Sequence, residues 1–301
     1  MLRNFLNKIR PNFEEGGKLH AFHSFFDGME TFLYVPNKTS MTGVSIHDCI
    51  DSKRIMSFVV IALLPALLFG MYNIGFQNYK AAGVEGSFIE MFMYGFSLTL
   101  PKIIVSYAVG LGIEFVVAQW KKEEIQEGYL VSGLLIPMIV PITCPLWMLA
   151  LAVAFSVILA KEIFGGTGMN IFNPALIARA FLFFAYPTNM SGDRVWVAGE
   201  SFLGLGNDLS VDAMTQATPL GEVAANLEVS SSFADMVIGL IPGSIGETSL
   251  IAIAIGAIIL LYTRIASWKT MLSVFVGGAL VGLLFNMLGL DNAVANLPWY
   301  E

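Results

Sequence analysis

The chain has 301 residues, 56% of them hydrophobic and 13% charged, with a mean hydropathy of +0.71. Soluble domains carry about a quarter charged residues, so this composition excludes an ordinary soluble domain and points to a body that faces lipid. A net charge of −7 argues against a nucleic-acid partner. Two cysteines (Cys49, Cys144) and three histidines (His20, His23, His47) supply neither a disulfide framework nor a metal-ligand cluster.

Residues 1–54 form a polar head that holds seven of the sixteen Lys and Arg. Within it Leu2, Phe5, Leu6 and Ile9 recur at helical spacing with Arg3, Lys8 and Arg10 between them, and no apolar stretch comes after them of the kind a cleavable signal needs. That pattern predicts an amphipathic helix lying on the inner surface of a lipid membrane. The first membrane half, residues 55–187, opens with Met56–Gly75, a charge-free run about 20 residues long and sufficient to cross a bilayer. A second span covers roughly Ile103–Trp120, interrupted only by Glu114. From Tyr129 to Ala160 no side chain is charged, but Pro137, Pro141 and Pro145 break the run. Two short segments that go out and return are predicted, because irregular backbone at membrane depth must be buried in protein or line a site.

A glycine-rich bend from Gly165 to Pro174 precedes a span that ends near Tyr186. Residues 188–247 read as a polar loop with one basic residue, Arg194, and eight acidic ones. Residues 248–301 hold two last spans, Thr248–Thr263 and Met271–Leu288. The fold class expected is an all-α polytopic membrane protein of about seven transmembrane segments, with Pro-broken short helices. The head, Lys121-Lys122, Lys161 and Arg264 with Lys269 fall on one side of this arrangement, and the acidic loop falls on the other. By the positive-inside rule the N-terminus is cytoplasmic and residues 188–247 lie in the periplasm of a bacterial inner membrane.

No nucleotide-binding glycine loop or zinc motif is visible, so any work must be driven through partners or carried cofactors. Glu114 stands inside an apolar span, where an ionised carboxylate is costly unless solvated or paired. It is either a ligand on an ion path, suited to Na⁺ or a proton, or a structural partner for a backbone amide or Arg179. Asn170 and Asn173 offer uncharged donors and acceptors for a flavin ring or quinone carbonyl; equally, Asn173-Pro174 is an ordinary helix N-cap and first position. Gly110 and Gly112 permit close approach by a helix or a ligand. In the loop, Asp212-Ala213-Met214-Thr215-Gln216-Ala217-Thr218 reads D-x-x-[S/T]-x-A-T. This resembles the signature at which a flavin transferase attaches FMN to the last threonine, and Asp212, Thr215, Ala217 and Thr218 meet every specified position. On composition alone, Thr218-Pro219-Leu220-Gly221 is a turn.

Further motifs are Phe13-Glu14-Glu15-Gly16-Gly17-Lys18, Asp51-Ser52-Lys53-Arg54-Ile55-Met56, Lys161-Glu162-Ile163-Phe164-Gly165-Gly166-Thr167-Gly168 and Ile241-Pro242-Gly243-Ser244-Ile245-Gly246-Glu247. With them the chain resembles, over essentially its whole length, the B subunit of the sodium-translocating NADH:quinone reductase. The D subunit of the Rnf-type electron-transfer complex is a near relative that shares the flavin motif; the long head with its Gly-Gly-Lys favours the former. The resemblance implies a urea-transporter-like fold of two five-helix halves within a six-subunit inner-membrane complex. Electrons from NADH would pass through FMN on a neighbouring subunit to covalent FMN on Thr218, then to riboflavin and ubiquinone, coupled to Na⁺ export. It also implies that Glu114 and Asp27 lie on the Na⁺ path and that Gly110 belongs to a stretch associated with quinone. Leu111 stands here where the family has its second glycine. Family members continue past Asn296-Leu297-Pro298-Trp299 into further helices, so the second membrane half is expected to be incomplete, lacking the last helices. A urea-transporter-like channel with no redox role is the alternative from another class.

Overall fold

A computed structural model describes residues 2–13, 52–121, 128–192, 195–210, 217–225 and 229–288, together with the single positions 17, 23, 26, 30 and 43. Among these residues the regular structure is helical, with no strand. Four helical runs are long and apolar enough to cross a membrane: Lys53–Ala82, Phe88–Lys121, Leu146–Phe164 and Trp268–Leu288. Three shorter apolar helices, Tyr129–Ile139, Pro174–Ala185 and Leu250–Tyr262, accompany them. The protein is a polytopic all-α membrane protein.

The head begins with α1 (Leu2–Ile9), which passes into a 3-10 turn at Arg10–Asn12 opened by Pro11. Leu6 is buried, Phe13 stacks on Phe26 with ring centroids 4.6 Å apart, and Arg10 pairs with Glu30. The next two helices, α2 (Ser52–Ala82, 31 residues) and α3 (Phe88–Lys121, 34 residues), both exceed the charge-free runs that announced them. At 1.5 Å per residue they extend about 46 and 51 Å, against a hydrocarbon layer of about 30 Å. Charge-free windows find the part that meets lipid; the helix runs on until a stop signal. For α2 that signal is Gly83 (φ 67°), where the Val84 amide bonds the Tyr79 carbonyl and the Gly83 amide bonds the Lys80 carbonyl. At the start of α3 the signal is Ser87, whose backbone amide donates to Glu90 Oε2 at 2.9 Å.

The Pro-broken region resolves into unequal parts. Helix α4 (Tyr129–Ile139) is 11 residues long, about 16 Å, and reaches only part-way through a bilayer. The chain turns extended at Val140 (ψ 154°), and α5 (Leu146–Ser156) starts after Pro145. The expectation of two short segments holds for α4 alone. Helix α5 continues without a gap through a π turn (Val157–Lys161) and a 3-10 turn (Glu162–Phe164), and that extension makes it long enough to span.

Then come α6 (Pro174–Ala185), α7 (Pro187–Met190), α8 (Pro219–Ala224), α9 (Phe233–Ile238), α10 (Leu250–Tyr262) and α11 (Trp268–Leu288). One apolar core, with Tyr129, Ile136, Leu149, Val153, Ala178 and Leu182, joins α4, α5 and α6. A second, with Leu67, Met71, Tyr94, Met138, Ile245 and Ala252, joins α2, α3, α4 and α10.

Small residues set the crossing of α2 and α3, as they do where lipid offers no hydrophobic force between helices. A Cβ on Gly75 would stand 2.0 Å from the Met91 carbonyl oxygen, and one on Gly95 would stand 1.8 Å from that of Met71. Gly112, by contrast, has nothing within 4 Å of such a Cβ. Gly95→Ala should therefore destabilise the detergent-solubilised protein by about 1–3 kcal/mol, the usual scale of an overpacked contact. Gly112→Ala should leave the unfolding temperature unchanged; equal effects at the two positions would contradict this packing.

Candidate functional site

The buried face of α3 carries Tyr94, Thr99, Lys102, Ser106, Gly110, Glu114 and Ala118, a stripe at helical spacing that is polar for most of its length. Its hydrogen-bonding members reach different parts of the fold. At the Lys121 end, Glu114 pairs with Lys161, and both side chains are 3% exposed. Glu114 thus has the partner its burial demands, but that partner is Lys161 and not Arg179. Arg179 lies only half-buried and bonds Glu247 at 2.9 Å, linking α6 to the segment before α10. Lys161, which by sequence is a loop charge facing water, is inside the protein. Lys121 meets Glu162 at 3.4 Å nearby, in a more exposed pair.

Half-way along α3 sits a functional candidate that charge-free spans do not reveal. Lys102 is 4% exposed, and its ammonium donates to the carbonyls of Pro141 (3.0 Å) and Cys144 (2.8 Å). A span that begins at Ile103 leaves Lys102 at its edge, because a lysine beside Pro101 looks like a helix end. The signal available was that Leu98, Leu100, Ile103 and Ile104 surround it, so a helix passing through would carry it into the apolar layer. Between the two lysines, α4 is pinned by a pair of tyrosines. Tyr129 donates to the Ser106 carbonyl at 3.0 Å and Tyr107 to the Leu130 carbonyl at 2.5 Å. The ring of Tyr129 fills the space over Gly110, where a Cβ would come within 1.9 Å of it. The open side of Gly110 is thus filled by the tyrosine that anchors α4.

At the other end of the stripe, residues 195–210 are no free loop. They form a strap across α2 and α3. Asn78 Nδ2 donates to the Ala198 and Asn207 carbonyls (2.8 and 3.0 Å), and its Oδ1 accepts from the Asn207 amide at 2.8 Å. Tyr94 donates to the Glu200 carbonyl at 2.5 Å. Leu203 and Gly204 (φ 52° and 78°) make the tight turn between Phe202 and Leu205, whose amides and carbonyls bond each other at 2.9 Å. Asp208, exposed, accepts from the Ser201 amide at 2.8 Å, and that bond holds its carboxyl below the ordinary carboxylate range. The segment before α10 is docked as well, with Asn73 Nδ2 on the Ile241 carbonyl (2.8 Å) and the Gly246 amide on that of Met138 (2.9 Å).

The remaining sequence candidates make local contacts. Asn173 caps α6, its Oδ1 accepting from the Ala175 amide at 2.9 Å. Asn170 bonds the Phe172 carbonyl and the Gly168 amide (2.8 and 3.2 Å), so both side chains serve their own turn. Thr218 is the N-cap of α8: extended (φ −71°, ψ 156°), half-buried, with Oγ1 accepting from the Gly221 amide at 3.1 Å. Ala217 lies beside it, and the other motif positions, Asp212 and Thr215, lie outside the described residues, as does Asp27. Among the described residues no group of three His, Cys, Asp or Glu could hold a metal ion.

A family model described as the NQR2, RnfD, RnfE family matches residues 39–301. This chain belongs to that family. Its relatives include the Na(+)-translocating NADH-quinone reductase B subunit of Chromohalobacter salexigens, 41% identical over 99% of this chain and 76% of the relative. The proteins of the same name from Pseudoalteromonas atlantica and Azotobacter vinelandii are each 38% identical. They align with 99% and 100% of this chain and with 78% and 79% of their own lengths. In this member of the NQR2, RnfD, RnfE family, the buried pair and the strap are places where side-chain chemistry holds distant segments together.

Glu114→Ala strands the Lys161 ammonium in the interior and should cost about 3–5 kcal/mol of stability, part of which Glu114→Gln with Lys161→Met recovers. Thermal unfolding of the purified protein reads both. For the strap, a carboxyl held below its ordinary pKa adds stability above that pKa and loses it as pH falls through the depressed value. Protection of the residue 199–209 amides, measured relative to their intrinsic exchange rate at each pH, should therefore be high at neutral pH and fall in acid, and Asp208→Ala should show the lowered protection already at neutral pH.

Proposed function

We propose that this chain is the B subunit of a Na⁺-translocating NADH–quinone reductase, an enzyme complex of the bacterial inner membrane. In this reading it carries FMN on Thr218 through a phosphoester. It receives electrons that partner subunits draw from NADH and passes them towards riboflavin and ubiquinone as Na⁺ is exported. The complex has six subunits, and a separate flavin transferase loads the cofactor. Residues 1–54 face the cytoplasm and 188–247 the periplasm, with membrane halves at 55–187 and 248–301.

The observation that carries this reading is the state of Thr218 within its motif. Thr218 is half-buried, on extended backbone between Ala217 and Pro219. The bond from the Gly221 amide uses an oxygen lone pair and leaves the hydroxyl proton free of that contact. An ester at Oγ1 removes that proton and keeps an acceptor there, so the N-cap of α8 and the tether are compatible. FMN bound there supplies the one- and two-electron chemistry that no side chain of this protein can. The residues themselves hold and orient it: Thr218 fixes the phosphate end, Pro219 starts the helix immediately, and small Ala217 keeps the approach open. Glu114, with Asp27 in the head, lies on the Na⁺ path in this reading. The names of the three relatives described above, each a reductase B subunit, support it over a passive channel.

Denaturing gels decide the cofactor. Protein from cells that express the transferase should fluoresce as a covalent flavin band, and Thr218→Val should remove essentially all of that signal. A dark wild-type band would sink the redox reading and leave the channel.

A further inference from the structure

The most unusual backbone in the described bundle is the π turn Val157–Lys161, and it ends on the lysine that neutralises Glu114. A π turn holds one residue more than an α turn and is frequently kept at functional sites. Before it, α5 is regular, with Val153 and Ser156 facing inward. After it come the 3-10 turn Glu162–Phe164 and then Gly165 and Gly166, with φ of 107° and 96°. Relaxing the π turn to α geometry would rotate the downstream residues by one position, about 100°. That rotation carries Lys161 off Glu114, and the two glycines are conformationally free to absorb it.

With Lys161 in place an arriving ion has no open approach to the Glu114 carboxylate, since both side chains are 3% exposed. With Lys161 simply gone, the carboxylate would keep its charge in the interior without the ammonium, at high cost. Exchange of one cation for another avoids both states. Lysine suits the task, because its ammonium is a compact point charge on a flexible stem. We infer that Lys161 is a displaceable internal counter-cation. Its ammonium occupies the place at Glu114 that a transported Na⁺ takes, and it withdraws through the π turn as the ion arrives. This rests on the pump reading above and adds to it the residue that competes with the ion.

The test uses the assembled complex and measures quinone reduction against Na⁺ concentration. A ligand whose competent state is open only part of the time binds more weakly by that fraction. With the pair open about a tenth of the time or less, Lys161→Gln lowers half-saturating Na⁺ by about tenfold or more. Lys161→Arg keeps the charge and grips the carboxylate with two donors, so it raises half-saturating Na⁺. In a Glu114→Gln background, Lys161→Gln produces no further shift. Covalent flavin and the KM for quinone stay at wild-type values throughout, which a general structural defect would not spare. Unchanged half-saturating Na⁺ in Lys161→Gln, or an equal shift with Glu114 absent, overturns the inference. Should Lys161→Gln fail to assemble, Lys161→Arg decides, and an unchanged Na⁺ response there overturns it. A wild-type complex indifferent to Na⁺ sinks the pump reading too; a Na⁺-dependent wild type with unresponsive Lys161 variants sinks only this inference.

Discussion

In hydrocarbon, a peptide group released from a helix finds no water, so every break in the helical chain must be closed by the protein itself. Here one helix supplies much of the closure. From the buried stripe that winds along α3, Tyr94 ties down the strap, Lys102 binds the carbonyls of the Val140–Pro145 break, and Glu114 holds the end of α5. Ser106 accepts the tyrosine that anchors the half-length α4. The other face of α3 offers Ile104 and Val116 to the surroundings. Lys102, Ser106 and Glu114 of that stripe are turned towards the interior of the protein, where a soluble helix would turn apolar residues. The irregular segments can exist at depth because that stripe is there to receive them.

The number of apolar segments among the described residues and the break after α4 were legible in the sequence, because both rest on local composition and on proline. The Asn173 cap was legible for the same reason, since Asn-Pro before an apolar run carries its own geometry. What escaped was non-local. Nothing near Lys161 in the chain points to Glu114, 47 residues earlier, and charge placement makes Lys161 look like a loop residue. Lys102 escaped because a charge-free window truncates a helix at the very residue that matters inside it. The strap shows the same limit in a polar setting. Residues 195–210 belong to a stretch that reads as polar loop, with Gly199, Gly204 and Gly206 in it, yet Asn78, a residue 120 positions away from Ala198, organises them.

Thr218 is where the two readings of one residue converge. As a turn residue it caps α8 through an oxygen lone pair, and in the FMN reading proposed above it is the hydroxyl proton that is given up. The two roles use different parts of the same group, lone pair and proton, so neither has to yield.

The position of Lys102 has a consequence for ion movement along the seam between α3 and α4. While protonated, it is a fixed positive charge that makes no ion pair among the described residues. A monovalent cation brought within about 4 Å of it meets repulsion of about 4 kcal/mol at an effective dielectric near 20. That stretch of the seam is therefore disfavoured for any cation on charge sign alone, whatever its size.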